Sequence, residues 1–133
     1  MKNQVYVGTP TSARFCLCPS TVKSGDLVLV GAEPACALND YQSNTGGATF
    51  YFSGTFTGTV IGSSSHSPYT PVAINYGDKL YASGTTDGTT NVTTNLLITG
   101  TTSDVQFGFL DPSGPVVASG ATNTAANIRL SVG

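Results

Sequence analysis

The stretch Ala48–Ile61, ATFYFSGTFTGTVI, decides the fold class of this chain. Every second position carries an apolar residue or a glycine, namely Ala48, Phe50, Phe52, Gly54, Phe56, Gly58 and Val60. Successive side chains of a β-strand point to opposite faces, so this period of two predicts one half-buried antiparallel strand. We expect its three phenylalanines to lie in the core. Gly54 and Gly58 should mark places where a barrel wall bends or another backbone comes close.

A repeated turn signal predicts where two further strands begin. Gly25-Asp26 directly precedes the apolar run Leu27–Val30, and Gly77-Asp78 precedes a second β-prone run. Glycine supplies the positive φ that a tight turn needs, and aspartate bonds nearby backbone groups. We interpret Gly25, Asp26, Gly77 and Asp78 as turn-forming residues at two corners of one small barrel.

The other strands are predicted from shorter apolar patterns. They fall at Arg14–Cys18, Leu27–Val30, Val92–Thr99, Val105–Phe109, Val116–Ala118 and Ile128–Val132, while Ala32–Leu38 fits either a short strand or one helical turn. In the run Val105–Phe109, where apolar residues alternate with other residues, Phe107 and Phe109 are expected in the core. About eight short strands separated by turns predict an all-β chain, a single small β-barrel or sandwich-like domain. We assign residues 14–133 to this domain and residues 1–13 to an extended N-terminal arm.

Composition excludes several classes of function. Thr, Ser and Gly make up 50 of the 133 residues, only 9% of residues are charged, and the net charge is −2. The five basic residues are scattered, so we expect no nucleic-acid binding. No apolar run approaches the roughly 18 residues of a membrane span, so no membrane partner is expected. The N-terminus lacks the apolar core of a signal peptide, which predicts synthesis in a host cytoplasm.

The sequence also lacks a pattern of residues typical of catalysis or metal binding. Cys16 and Cys18 are two apart on a predicted strand, a spacing that suits neither a zinc knuckle nor a thioredoxin motif. With Cys36 they are interpreted as buried thiols, and the single His66 stands in a Ser-rich loop. The carboxylates Asp26, Asp78, Asp87 and Asp111 all adjoin Gly or Pro, and are interpreted as turn caps. We expect no enzyme activity, no metal and no cofactor.

The order of these segments resembles a known family. The segments are a strand ending in Pro, Ser24–Gly31 (SGDLVLVG), a central strand Phe50–Val60, Tyr76–Tyr81 (YGDKLY), Val105–Leu110 with an internal Gly108, and the closing strand Asn127–Gly133. Together they cover most of residues 14–133. The chain is similar to small tailed-phage capsid decoration, or cement, proteins, long catalogued as a domain of unknown function with a recombinase-like label. It departs from them in an expanded Ser63–Pro71 loop, the Thr85–Thr94 tract and three cysteines.

This resemblance implies a β-barrel-like fold without enzyme activity. It also implies a structural virion protein on the capsid exterior, which stabilises the head by bridging capsomers as a homotrimer. Its partners would be the major capsid protein and further copies of itself. The alternative is an exterior phage module that recognises a glycan or receptor through Tyr41, Tyr51, Tyr69, Tyr76 and Tyr81.

The arm supplies the candidate contact with capsid or subunit. Gln4, Val5, Tyr6 and Val7 form a strand-prone segment with an apolar group on each face. Gly8 and Pro10 end it. The segment is interpreted either as the first strand of its own barrel or as a strand added to a neighbouring subunit or to the capsid protein.

Overall fold

The computed structural model describes residues 13–63, 70–100 and 105–130. In these ranges the chain forms nine strands: β1 (Ala13–Leu17), β2 (Leu27–Val30), β3 (Glu33–Ala37), β4 (Gly47–Tyr51), β5 (Thr55–Val60), β6 (Lys79–Thr86), β7 (Val92–Thr99), β8 (Val105–Leu110) and β9 (Thr124–Leu130). The same ranges contain no helix, and hence none long and apolar enough to cross a membrane. The prediction of an all-β fold is therefore confirmed.

Five strands close into a barrel. Antiparallel pairing runs from β5 to β9, from β9 to β8, from β8 to β6 and from β6 to β7. The ring is completed where β7 meets β5 in parallel, with Val60 opposite Ile98. The Ile61 N–H also donates to the Ile98 carbonyl at 3.0 Å. Because the ring is closed, each of these five strands has a pairing partner on both of its sides over at least part of its length.

The remaining four strands form a layer in the order β1-β4-β3-β2, with β1 outermost. The layer is joined to the barrel through β2, which pairs with the start of β7. The same edge of β7 therefore pairs with both β2 and β5. Its first residues pair with Leu29 and Val30 of β2, and Ile98 near its end pairs with β5.

The two halves of the fold, the layer and the barrel, share one pairing scheme around β7. On one side the order outward from β7 is β2, β3, β4, β1, and on the other it is β6, β8, β9, β5. Every pairing within these two series is antiparallel. In this scheme β5 occupies the place in the barrel that β1 occupies in the layer.

The first Gly-Asp turn fastens the start of β2 to the end of β3. Gly25 has a φ of 90°, and its N–H donates to the Ala37 carbonyl at 2.8 Å. The Ala37 N–H donates in return to the Asp26 carbonyl at 2.9 Å. The Asp26 carboxylate accepts the Lys23 N–H at 3.0 Å, which closes the turn.

The second Gly-Asp turn makes the same bonds between the start of β6 and the end of β8. Gly77 has a φ of 83° and donates to the Leu110 carbonyl at 2.9 Å, while Leu110 donates to the Asp78 carbonyl at 3.0 Å. The Asp78 carboxylate accepts the Asn75 N–H at 2.8 Å. Both pairs of residues therefore form turns at equivalent corners of the two halves.

The buried apolar residues divide into two clusters. The barrel core consists of Leu29, Cys36, Phe56, Val60, Ile74, Leu80, Ala82, Ile98, Phe107, Leu110, Val117, Ala126, Ile128 and Leu130. The outer core consists of Cys18, Val22, Val28, Ala35, Ala37, Ala48, Phe50, Phe52 and Val92. Neighbouring residues of β2, Val28 and Leu29, enter different clusters. The layer therefore lies between the two cores, with one face toward each.

The stretch Ala48–Ile61 is two strands, and the prediction of a single strand is wrong. β4 ends at Tyr51 and β5 begins at Thr55. Gly54 lies between them with a φ of 117°, a conformation that side chains rarely adopt. Alternation continues across this break, but Phe50 and Phe52 enter the outer core while Phe56 enters the barrel core. Glycine here lets one apolar pattern cross from the layer into the barrel.

Gly58 meets a side chain rather than another backbone. A Cβ at this position would collide with Cδ1 of Leu27 and lie 3.1 Å from Cδ1 of Ile128. The expectation that another backbone comes close is therefore wrong at Gly58, whose near neighbours are the apolar side chains of Leu27 on β2 and Ile128 on β9.

The expectation for Phe109 also needs correction. A β-bulge interrupts β8, because Leu80 of β6 lies opposite Gly108 while Tyr81 lies opposite Gln106. The extra residue is Phe107, and it changes which side chains point inward. Phe107 and Leu110 are fully buried, whereas Phe109 is only partly buried, with the Arg129 guanidinium 5.2 Å from its ring centre.

Several predicted boundaries shift. β1 begins at Ala13, the last residue assigned to the arm, and Ala32–Leu38 forms β3 rather than a helical turn. Val116–Ala118 contributes one isolated bridge, from Val117 to Ile74, instead of a strand. β9 begins at Thr124, four residues before the predicted strand Ile128–Val132.

Candidate functional site

The outer edge of β1 is the candidate site. β1 pairs along its whole length with β4, from Ala13 opposite Tyr51 to Leu17 opposite Gly47. Among the strands in the described ranges, β4 is its only partner. A strand at the edge of a sheet presents a row of N–H and C=O groups that can pair with another chain.

Two large apolar side chains of β1 point into solvent. Phe15 is 52% exposed and Leu17 is 57% exposed. They stand two residues apart on one face of the strand, whereas Cys16 and Cys18 on the other face are half-buried and buried. Apolar side chains exposed together beside an unpaired edge are typical of an interaction surface.

The one charged residue of β1 does not protect this edge. The Arg14 guanidinium bonds the Glu33 carboxylate at 3.1 Å and lies 4.1 Å from the ring centre of Phe52. Both members of the ion pair are exposed, so the pair itself contributes at most about 1 kcal/mol. Natural edge strands are often guarded by an outward charge, a proline or a bulge. β1 contains no proline, and its one charge is engaged with its own layer.

The predicted contact residues Gln4, Val5, Tyr6 and Val7 lie outside the described residues. Phe15 and Leu17 were not predicted as contact residues. The available signal was the alternation in Arg14–Cys18: two cysteines facing inward place the phenylalanine and the leucine outward.

Cys18 and Cys36 are buried thiols, as predicted, whereas Cys16 is only half-buried. Burial raises the pKa of Cys36 to about 12, and the nearby negative charge of Asp26 adds to this. Burial also raises the pKa of Cys18 and of Cys16, and for Cys16 the positive charge of Arg14 partly opposes the shift. In the described part of the chain, no three His, Cys, Asp or Glu side chains are placed to hold a metal ion. His66 lies outside that part.

The other two turn carboxylates also bond to backbone within their own turns. Asp87 accepts the Thr90 N–H at 2.9 Å and the Thr90 hydroxyl at 2.6 Å, and these bonds lower the pKa of Asp87. Asp111 accepts the Ser113 N–H at 3.1 Å and the Ser113 hydroxyl. Each of these carboxylates serves its own turn.

The tyrosines that the structure describes have separate local contacts. Tyr51 stacks on Phe56, with 6.3 Å between ring centres, and Tyr41 packs against the outer core. The exposed Tyr76 donates its hydroxyl to the Gly114 carbonyl at 2.7 Å. Tyr69 lies outside the described ranges. None of these three contacts joins one tyrosine to another.

A groove of about 260 Å³ opens where β2 and β5 diverge along the shared edge of β7. Asn95 of β7 lines it with a φ of 54°, beside Thr57 and Asp26. The Asp26 carboxylate is already bonded within its turn, and the lining contains neither His nor Cys.

The outer edge of β1, with Phe15 and Leu17 exposed beside it, is therefore taken as the candidate site among the described residues. No protein-family model matches the chain, and neither a curated protein nor a solved structure does.

Proposed function

We propose that this chain is a structural virion protein that decorates and stabilises a phage capsid, bridging neighbouring capsomers as a homotrimer. The observation that carries the proposal is the unguarded outer edge of β1, with Phe15 and Leu17 exposed beside it. A surface of this kind suits a protein that works with a neighbour against it. The partners proposed are the major capsid protein and further copies of this chain.

The order of motifs along the chain supports the proposal. The Gly-Asp turns that stand out in the resemblance to decoration proteins open β2 and β6, and they occupy equivalent corners of the two halves. The resemblance also includes the internal Gly108 of β8. A Cβ at Gly108 would collide with the Arg129 carbonyl of β9, so the close pairing of β8 with β9 requires glycine there.

Physical considerations favour a trimer for this task. Three weak contacts on one particle act as linked sites, so the particle can bind about 10²–10⁴ times more tightly than one contact alone. Closed three-fold symmetry would match a lattice position that is itself three-fold. Only 9% of the residues in the chain are charged. A protein with so few charges suits direct contact with neighbours better than long-range electrostatic capture.

Binding to heads tests the proposal. Purified protein is mixed with expanded, empty heads of the same phage, and bound protein is measured by co-sedimentation. We expect saturable binding at a simple ratio to capsomers, weakened by a Phe15→Ser, Leu17→Ser double variant. Val116→Ser is the control because Val116 is also an exposed apolar residue and does not belong to β1.

Failure of the native protein to bind heads, together with saturable binding on a glycan array, would replace this proposal with the glycan-recognition alternative. Equal head binding by the β1 double variant and the Val116→Ser control would remove the edge of β1 from the mechanism.

A further inference from the structure

We propose that the outer edge of β1 accepts the segment Gln4–Val7 of a second copy of this chain as an added strand. The inference rests on the self-association in the proposed function and not on head binding. The inference names a pairing partner for the outer edge of β1, where the described residues contain no partner strand.

The acceptor is a short edge without proline or bulge. β1 keeps regular register with β4 over all five of its residues, so the N–H and C=O groups of alternate residues point to its outer side without interruption. Phe15 and Leu17 flank that edge and are each more than half exposed. Arg14 cannot repel a guest strand easily, because it is engaged by Glu33 and Phe52.

The barrel half shows what completes an equivalent edge. β5 holds the place in the barrel that β1 holds in the layer, and the outer edge of β5 is met by β7 at Val60. The layer has no strand in that place among the described residues. A guest strand beside β1 would therefore complete the layer as β7 completes the barrel, although its register need not be the same.

The donor has the composition of a strand that can be added. Gln4–Val7 reads QVYV, with no charge and with Val5 and Val7 on one side in an extended conformation. Valine and tyrosine are favoured in strands. With that side facing Phe15 and Leu17, the added strand would cover apolar surface that β1 leaves in water.

The connection favours a second copy over the same copy. Five residues, Gly8–Ser12, separate the segment from Ala13, which is a hairpin-length connection. However, Pro10 fixes its own φ and biases Thr9 toward an extended conformation. A five-residue connection with Pro10 at its middle is a short, stiff hinge, and hinges of this kind favour exchange between copies.

Exchange around a three-fold axis makes a head-to-tail interface. Each copy donates one segment and accepts one, so the donor and acceptor surfaces differ and a ring forms wherever the rotation closes. Three copies related by a three-fold axis satisfy every donor and every acceptor.

Engineered disulfides test the pairing without any heads present. In a chain whose three native cysteines are replaced by alanine, Val7→Cys is combined with Phe15→Cys, and a second variant uses Val5→Cys to allow for register. After mild oxidation we expect a non-reducing gel to show linked dimers and trimers that collapse to monomer on reduction. Val7→Cys with Val116→Cys is the control and should give no ladder.

A cross-linked monomer without a ladder would show that the segment pairs with its own β1, and would overturn the proposal. Absence of any cross-link in both variants would also overturn it. Far-UV circular dichroism and the thermal midpoint verify that each variant folds like its cysteine-free parent.

Deletion of residues 1–10 from the native chain gives an independent readout. By sedimentation we expect loss of the trimer with an unchanged circular dichroism spectrum, and persistence of the trimer overturns the exchange. Because neither experiment involves capsids, a failed exchange leaves head binding to be judged on its own, and a failed head-binding assay leaves the exchange standing.

Discussion

Truncation of Phe56 to alanine is the most direct test of how the two cores are built. The Phe56 side chain is fully buried in the barrel core, its ring stacks on Tyr51, and its backbone pairs with Ile128 of β9. Gly54 lies against it, since a Cβ there would be 3.2 Å from the Phe56 ring. Few neighbours can collapse into the space, because they belong to strands of a closed ring.

The expected cost is about 3–5 kcal/mol, the usual range for removing a buried phenylalanine side chain. Loss of the stacked pair with Tyr51 places it toward the upper end, since such pairs contribute about 0.5–1.5 kcal/mol beyond their buried area. A chain of this length is stable by roughly 7–20 kcal/mol, so the variant should still fold. With a urea m-value of about 2 kcal/mol/M, the denaturation midpoint should fall by about 2 M.

Urea denaturation of the native protein, Phe56→Ala and a control measures this. Thr59→Ala is the control because Thr59 is exposed on the same strand, and it should change stability by less than about 0.5 kcal/mol. Similar small shifts for the two variants would refute the barrel core as described. A large fall in m-value instead of the midpoint would indicate loss of the two-state transition.

Three further predictions follow from single contacts. Gly54→Ala should lower the free energy of unfolding by about 1–3 kcal/mol, because a φ of 117° is strained for alanine. An unchanged thermal midpoint would contradict the break between β4 and β5. Thr90→Val should raise the pKa of Asp87 toward its ordinary value by removing a hydroxyl donor, as followed by NMR titration, and an unmoved pKa would show that the hydroxyl bond is unimportant. Stability should decline as the pH rises from about 9 toward 12, because burial raises the Cys36 pKa above its unfolded value. Cys36→Ala should flatten that decline in urea midpoints, and an equal slope in both proteins would contradict the assignment.

The pH dependences have opposite signs. A raised thiol pKa contributes stability in full below the unfolded pKa of Cys36 and loses it as the pH passes through the folded value. A lowered carboxyl pKa contributes stability above the unfolded pKa of Asp87 and loses it as the pH falls through the folded value. Alkaline and acid titrations of the same variants therefore separate the two groups.

Local patterns predicted local structure well. The period of two around Phe50 and Phe56 identified strands and their buried face, because alternation is a property of every extended chain. Gly25 and Gly77 marked positive-φ turns, because few other residues adopt that conformation at low cost. The candidate site could be predicted only in part. The alternation in β1 shows which side chains share a face, but it does not show which of the two faces packs against a neighbour.

The sequence by itself determined that this chain is all-β, where most of its strands begin, and which turns carry glycine and aspartate. Only the tertiary structure decided how the strands divide into a closed barrel and an open layer, that Phe109 turns partly outward after the bulge at Phe107, and that β1 is left at an edge. The physical reason is that strand pairing is non-local. Val60 meets Ile98 through a register set by ring closure, and no short stretch of sequence contains that information.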